Sequence, residues 1–426
     1  MDSTWFQVLA LIAIGFLSLM VILALFEPYL EYKVTNALDV PLDSEDFLCI
    51  VAALTDAQIH RQNKVEVLTN GEVYYEVELQ AISKAKNHIN IEAYIFQKGE
   101  IAGRFVEALT ERARAGVQVN IILDAIGSFA TWNSYFKELI DAGGRIAWYH
   151  SISLQTLPRI NNRTHREIIV IDGTVGFVGG AGVADHWYKG TKGKLRWRDT
   201  MIKVEGGTVT SLQSTFAENW VEASGEILAD KRYFPLNENV GNISSIVVDS
   251  VPSIGRSTRA RMLFQVLLAS ATKSIHITTP YFLPDGSVRK ELVRAIKERG
   301  VKVKIVAPGK HMDHLLTRRS SRRLYGDILR AGGEIYEYDP GMIHVKCLIV
   351  DGIWSVVGST NFDNRSFSIN DEVNFGSNDV SLAARLESDF AQDIADSTLI
   401  TYKKWVARSV FERAHEWIGS ILERQQ

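Results

Sequence analysis

Towards the carboxyl end of the chain, His344, Lys346 and Asp351 stand in the spacing HxKxxxxD. A neutral imidazole can attack phosphorus, and an ammonium two positions on, on the same face of a strand, can hold the phosphate under attack. Asp351 marks the turn beyond. After that turn comes GSTNFDNRSF, where Ser359 and Asn361 offer hydrogen-bond donors to phosphoryl oxygens. Glu372, in NDEVNF, is placed to hold the other ring nitrogen of His344 and so set its tautomer. The set predicts displacement at a phosphodiester without a metal. The chain's 2 cysteines, Cys49 and Cys347, form no CxxC pair, so there is no zinc or disulfide signature and no cofactor is expected. Lys plus Arg number 47 and Asp plus Glu 50, so the formal net charge is 47 − 50 = −3, which lacks the basic footprint of a nucleic-acid binder.

Such a site needs a rigid scaffold, and 426 residues with 46% hydrophobic content can build two cores. Strand-like and helix-like segments alternate, and two halves repeat them in the same order. LQAISKAKNHINIEAYIF from Leu79 matches FQVLLASATKSIHITTPYF from Phe264, each with aromatic residues at the strand end. FVEALTERARAGVQVNIIL from Phe105 matches VRKELVRAIKERGVKVKIV from Val288, with Gly116 and Gly300 where a helix stops. FKELIDAGGRIAWY from Phe136 matches YGDILRAGGEIYEY from Tyr325. HREIIVIDGTVGFVGG from His165 matches HVKCLIVDGIWSVVGS from His344, two apolar strands joined at Asp-Gly. The prediction is an α/β protein of two similar halves, 34–230 and 231–426, with residues 221–242 as connector, after an anchor and linker at 1–33.

The anchor is the run from Trp5 to Phe26, WFQVLALIAIGFLSLMVILALF, 22 residues without a charge. As a helix it would extend about 33 Å, enough for a bilayer's hydrocarbon. MDST has no basic n-region and no A-x-A site follows, so an uncleaved single-pass anchor is expected. Lys33 follows the run and no Lys or Arg precedes it, which predicts a cytoplasmic catalytic part.

HVKCLIVD followed by GSTNFDNRSFSINDEVNF resembles the second signature of the phospholipase D superfamily, in its bacterial cardiolipin synthase branch. The resemblance runs from about Asn63 to the carboxyl end. It implies two halves packed about a pseudo-twofold axis, with the two motif histidines sharing one pocket. One histidine forms a phosphohistidine and the other protonates the leaving alcohol; by analogy His165 is the nucleophile and His344 the acid, although the intact second half also supports the reverse. It further implies a phosphatidylglycerol substrate at the bacterial inner membrane, a second phosphatidylglycerol as acceptor, and release of glycerol.

Against that pattern the first half departs. THREIIVID keeps His165 and Asp172, which the resemblance implies to be catalytic together with Asp199, His344, Lys346, Asp351 and Glu372, but has Glu167 where the family's Lys belongs. VGGAGVADHW keeps Gly180 at the phosphate-binding turn but has Gly182 where an Asn is usual, and Asp199 in RWRDTM is the expected partner of His165. One fixed positive charge at a phosphodiester becomes a carboxyl, a loss on the order of 3 kcal/mol in the transition state. Glu167 admits three readings. It turns to Arg163, Arg166 or another cation and leaves the pocket neutral; it favours the protonated form of a nearby histidine; or it marks a lapsed site that only binds lipid. The functions that follow are a phosphatidyltransferase, a phospholipase D-type hydrolase, or a silent lipid binder.

Weaker features are Arg318, Arg319, Arg322 and Arg323 on a helix, which grip anionic headgroups or form a solvated paired face. The segment YKKWVARSVFERAHEWIGSILE lies on the membrane or packs on the domain, and KGTKGKLRWR from Lys189 suits a basic loop with Gly190 and Gly193 at the pocket mouth. His311 and His314 are isolated.

Overall fold

The computed structural model describes residues 3–25, 32–35, 39–151, 159, 161–190, 195–251, 258–313, 315–409 and 411–413. Gly193, His314 and the chain from 414 onwards, including the second part of the amphipathic stretch above, lie outside the described residues. The chain divides into two compact units, Met1–Lys33 and Val34–Gln426. In the first, one helix runs Ser3–Leu25. Among the described residues no helix is long and apolar enough to cross a membrane.

The second unit alternates strands and helices. Its strands are β1 (His60–Thr69), β2 (His88–Ala93), β3 (Gln118–Asp124), β4 (Arg145–Tyr149), β5 (Ile168–Ile171), β6 (Val175–Gly179) and β7 (Thr200–Glu205), then β8 (Ile243–Ser250), β9 (Ser274–Thr278), β10 (Phe282–Leu283), β11 (Lys302–Pro308), β12 (Glu334–Tyr338), β13 (Cys347–Val350), β14 (Trp354–Gly358), β15 (Phe362–Asp363), β16 (Glu372–Ser377) and β17 (Ser397–Ile400). All but β10 and β15 form one 15-stranded sheet with β1 beside β8 at its middle. Outward from that antiparallel joint, the first half reads β1-β7-β6-β5-β2-β3-β4 and the second β8-β16-β14-β13-β9-β11-β12-β17. The two lists match strand for strand apart from the terminal β17, as duplication requires.

Helices Glu100–Arg114 and Gly286–Arg299 carry the chain between parallel neighbours, β2 to β3 and β9 to β11. The first strand of each hairpin, β5 and β13, is apolar and buried on both faces. Ile169 and Ile171 of β5 face a first-half core around Phe105 and Ile121, while Ile168 and Val170 face a central core shared with Val345, Ile349, Val357 and Phe375. β13 repeats this, with Leu348 and Val350 in a second-half core and Cys347 and Ile349 in the central one. Helices Thr208–Ser224 and Val380–Ala395 contribute Leu212 and Leu386 to that central core.

Both predicted hairpins form. Asp172 and Gly173 take φ of 52° and 66°, and Asp351 and Gly352 take 56° and 65°, the left-handed pair an Asp-Gly turn supplies. The expected connector differs in its start, because residues 221–224 end the helix Thr208–Ser224. Packing also crosses the expected boundaries. Phe47, Leu48 and Val51, on helix Glu45–Thr55, join the second-half core, with Phe47 edge-on to Trp354 at 5.7 Å. Leu228 and Tyr233 pack with Tyr149 and Trp220 of the first half.

Candidate active site

His165 and His344 each stand a few residues before a hairpin strand, in an irregular segment rather than in the strand itself. Each is pinned by a backbone bond to the opposite half. The His165 amide donates to Asp371 O at 2.9 Å, and the His344 amide to Arg198 O at 2.7 Å. Asp371 and Arg198 directly precede Glu372 and Asp199, so these bonds deliver a carboxylate to each ring.

The pairing is therefore crossed. His165 Nδ1 lies 3.1 Å from Glu372 Oε2 and 3.2 Å from Oε1, and His344 Nδ1 lies 2.9 Å from Asp199 Oδ2. This corrects the expected pairing of each histidine with the carboxylate of its own half. Asp199 is held further by the Thr200 amide at 2.8 Å and Trp187 Nε1 at 3.1 Å. Ser359 donates its hydroxyl to Glu372, so it orients the carboxylate rather than a phosphate. Asn361 is buried and its Oδ1 has no hydrogen-bond partner.

Lys346 is buried against His344, with Nζ 3.0 Å from Nε2 and 2.7 Å from Nδ1. Nδ1 cannot both donate to Asp199 and accept from an ammonium. The carboxylate keeps the proton on Nδ1, and Nε2 is left to accept from Lys346. Burial first, and the Lys346 charge second, push the His344 imidazole down to about 4, against the pull of Asp199. Lys346 itself is lowered by burial, opposed by Asp199, Glu372 and Glu167. Those opposing charges link the two histidine pairs into one cluster.

Glu167 does not turn to either arginine. Arg163 faces Asp124 at 3.4 Å and Arg166 faces Glu218 at 2.7 Å. Glu167 Oε1 accepts from the Tyr94 amide at 3.2 Å, and the cation it feels is Lys346. Burial drives its carboxyl well above the usual range. Lys346 therefore has three carboxyl groups acting on it, Asp199, Glu372 and Glu167, which oppose the effect of its burial.

The two glycines of the first-half turn have steric reasons. A Cβ on Gly182 would stand 2.3 Å from Ile95 O, and one on Gly180 would stand 2.8 Å from Lys346 Cδ. Gly180 thus makes room for Lys346, whose Nζ lies 3.4 Å from its carbonyl oxygen.

Asp172 and Asp351 sit away from this cluster. The Asp172 carboxylate accepts from the amides of Lys86, Asn87 and His88, and that of Asp351 from the amides of Thr272, Lys273 and Ser274. They tie each hairpin turn to the start of the neighbouring strand, so their expected catalytic place is replaced by a structural one. Residues not foreseen line the rings: Tyr94 edge-on to His165 at 5.2 Å, Trp187 and Trp197 at 5.2 and 5.3 Å from His344, and Asp363, which burial raises to about 6. The aromatic strand ends were a visible signal for Tyr94; Asp363 gave none.

Arg318 and Arg322 pair with Glu337 at 3.0 and 3.1 Å, so these two belong to a paired helix face. Trp405 packs on the second-half core and donates to Arg322 O at 2.6 Å, which docks the described start of the final segment on the domain. In the basic loop, Lys189 pairs with Glu100 and Arg198 with Asp393. His311 is exposed.

Two α/β copies that exchange carboxylates between their histidines, with a lysine against one ring, define a phospholipase D-like enzyme. The family model described as cardiolipin synthase, PLD-like domain, matches the chain twice, at residues 79–218 and 265–394. The major cardiolipin synthase ClsA of Bacillus subtilis (strain 168) is 34% identical over 384 residues, covering 89% of this chain and 79% of the relative. A cardiolipin synthase of Listeria monocytogenes serotype 4b (strain CLIP80459) is 32% identical over 380 residues, covering 88% and 78%. The fold is also that of the phosphatidylserine synthase of Haemophilus influenzae Rd KW20, with a TM-score of 0.66 at 13% identity over 90% of this chain and 100% of that one. The chain belongs to the cardiolipin synthase family of phospholipase D-like proteins.

Proposed function

We propose that this protein is a phosphatidyltransferase that makes cardiolipin from two molecules of phosphatidylglycerol and releases glycerol. The observation that carries the reading is the crossed pair, His165 with Glu372 and His344 with Asp199, gathered around Lys346. One imidazole attacks phosphorus and forms a phosphohistidine, and the other protonates the departing glycerol oxygen. The hydroxyl of the second lipid then returns its proton to that histidine and takes the phosphatidyl group. Lys346 supplies the positive charge for the phosphoryl oxygens, and the Asn361 side-chain amide is available as a donor. Asp199 and Glu372 hold each ring in one tautomer.

The helix Ser3–Leu25 serves as a single-pass anchor in the bacterial inner membrane, with the catalytic unit on the cytoplasmic side. Its support is an exposed apolar surface that includes Trp5, Phe6, Leu11, Ile12 and Phe16. The full-length chain is expected to stay with membranes after an alkaline carbonate wash, and its release would remove the anchor.

The test of activity is the purified full-length chain in detergent micelles with labelled phosphatidylglycerol and chelator. Cardiolipin and glycerol in equal amounts are expected. Phosphatidic acid as the main product would make it a hydrolase, and lipid binding without turnover would make it a silent binder.

A further inference from the structure

The two histidines do not stand in equivalent fields, and the difference assigns their roles. The His344 ring faces Lys346 at 3.0 Å and Asp199 at 2.9 Å, with the charge of Asp313 also felt. A proton on its Nε2 would place an imidazolium against a buried ammonium. Among the described residues the His165 ring meets Glu372 and Tyr94, with the charge of Asp363 beyond. The position from which a second lysine would repel a proton on His165 holds Glu167, whose carboxyl is tied to the Tyr94 amide. An imidazolium at His165 therefore meets a carboxylate at contact and, among the described residues, no cation at contact.

We propose that His344 is the nucleophile and His165 the general acid, the reverse of the order implied by family resemblance, and that Glu167 is the positioning residue that separates the roles by removing the second lysine. The assignment rests on the transferase reading and deepens it. In the first step Lys346 moves its hydrogen bond from His344 Nε2 to a phosphoryl oxygen, freeing the lone pair. Nε2 then bonds to phosphorus, the bond from phosphorus to the glycerol headgroup oxygen breaks, and His165 gives that oxygen its proton. The products are phosphatidyl-His344, neutral His165 and glycerol. In the second step the acceptor hydroxyl gives its proton to His165 as its oxygen bonds to phosphorus. The phosphorus–nitrogen bond breaks, and neutral His344 and protonated His165 are restored.

The discriminating substrate is phosphatidyl-p-nitrophenol, because p-nitrophenolate leaves without a proton. The full-length wild type, His165→Asn and His344→Asn are compared in detergent micelles, following p-nitrophenol release within the first turnover. Quenched wild-type samples are digested at alkaline pH, and the phosphatidylated peptide is located by mass spectrometry. His165→Asn should keep a first-turnover burst within about tenfold of wild type, while losing at least about a hundredfold with phosphatidylglycerol, whose alkoxide needs the acid. His344→Asn should lose the burst by about three decades or more. The wild-type adduct should lie on the peptide that contains His344. A burst that survives in His344→Asn, a burst lost in both variants, or an adduct on His165 overturns the assignment. The adduct map uses no variant, so it stands even where a substitution fails to fold. Failure of the transferase reading shows separately, as wild type that makes no cardiolipin from phosphatidylglycerol in the same preparation.

Discussion

The two halves share a backbone plan, and in the motif segments that would hold the phosphate they differ at three positions that matter to its charge and hydrogen bonds. Each has the histidine, the Asp-Gly turn and a carboxylate lent by the other half, yet Lys346, Ser359 and Asn361 face Glu167, Gly180 and Gly182 at the equivalent places. The changes belong together physically. Lys346 leans into the space that a side chain at 180 would fill, and the close approach of Ile95 O leaves no room for one at 182. A duplicated site can thus keep its histidines and their partners while giving up one of two cations, because orienting a ring and stabilising a phosphoryl group are done by separate residues.

The sharpest way to break the comparison is chemical. His344→Ala should abolish cardiolipin formation by about four decades or more, and Lys346→Met should cost two to three decades as the pocket's cation is lost, both read as initial rates. If Lys346→Met were nearly neutral, the asymmetry at 167 would have no chemical meaning. Next come the crossed carboxylates. Asp199→Asn should lower the first-turnover rate even with a p-nitrophenol leaving group, whereas Glu372→Gln should lower turnover of phosphatidylglycerol much more than that burst. Each effect should be about two decades or more, since the wrong tautomer is then favoured.

Stability effects are smaller. Arg198 bridges from the first half to Asp393 at 2.9 Å and Asp389 at 3.6 Å in the second. Arg198→Met leaves the buried Asp393 carboxylate without its arginine, while Asp389 keeps Arg385 and Thr69, and should destabilise the fold by about 3–5 kcal/mol, seen as a lowered Tm. Asp172→Ala and Asp351→Ala each strand backbone amides and should each cost about 1–3 kcal/mol by denaturant titration. Unequal losses would show that the two turns are not the same device.

The smallest effect is on pH. His344, His186, His88 and His276 are each held down to about 4, chiefly by burial. Between about 4 and the ordinary value of 6.5 these four rings bind fewer protons in the native state than in the unfolded one and lower stability as pH falls, while Glu92, raised to about 7, and Asp363, Asp371 and Asp393, each raised to about 6, bind more in the native state and oppose that loss. The share of one ring is read from a variant: the Tm of His276→Asn relative to wild type should rise as pH falls from 6.5 to 4. A difference that does not change with pH would mean that this ring is charged when folded.

Much of this was legible along the chain. The repeat, the Asp-Gly hairpins, both histidines, Lys346 and the departure at Glu167 are local facts, because strand periodicity, turn chemistry and residue type act over a few positions. The partner assignments were not legible in the same way. Asp199 and Glu372 are recognisable as carboxylates just before strand β7 and at the start of strand β16, but nothing local says which histidine each will meet. Asp172 and Asp351 looked catalytic by spacing, and only their three amide contacts apiece show them as ties between strands.

The sequence by itself determined an α/β duplication with one intact and one altered histidine motif, since those properties reside in residue order. Tertiary structure alone decided that the carboxylates cross, that helix Glu45–Thr55 packs on the second half, and that Glu167 faces Lys346 instead of an arginine. Those outcomes depend on joining the halves at β1 and β8 and burying one central core between them, and the charges that meet there are far apart in the chain.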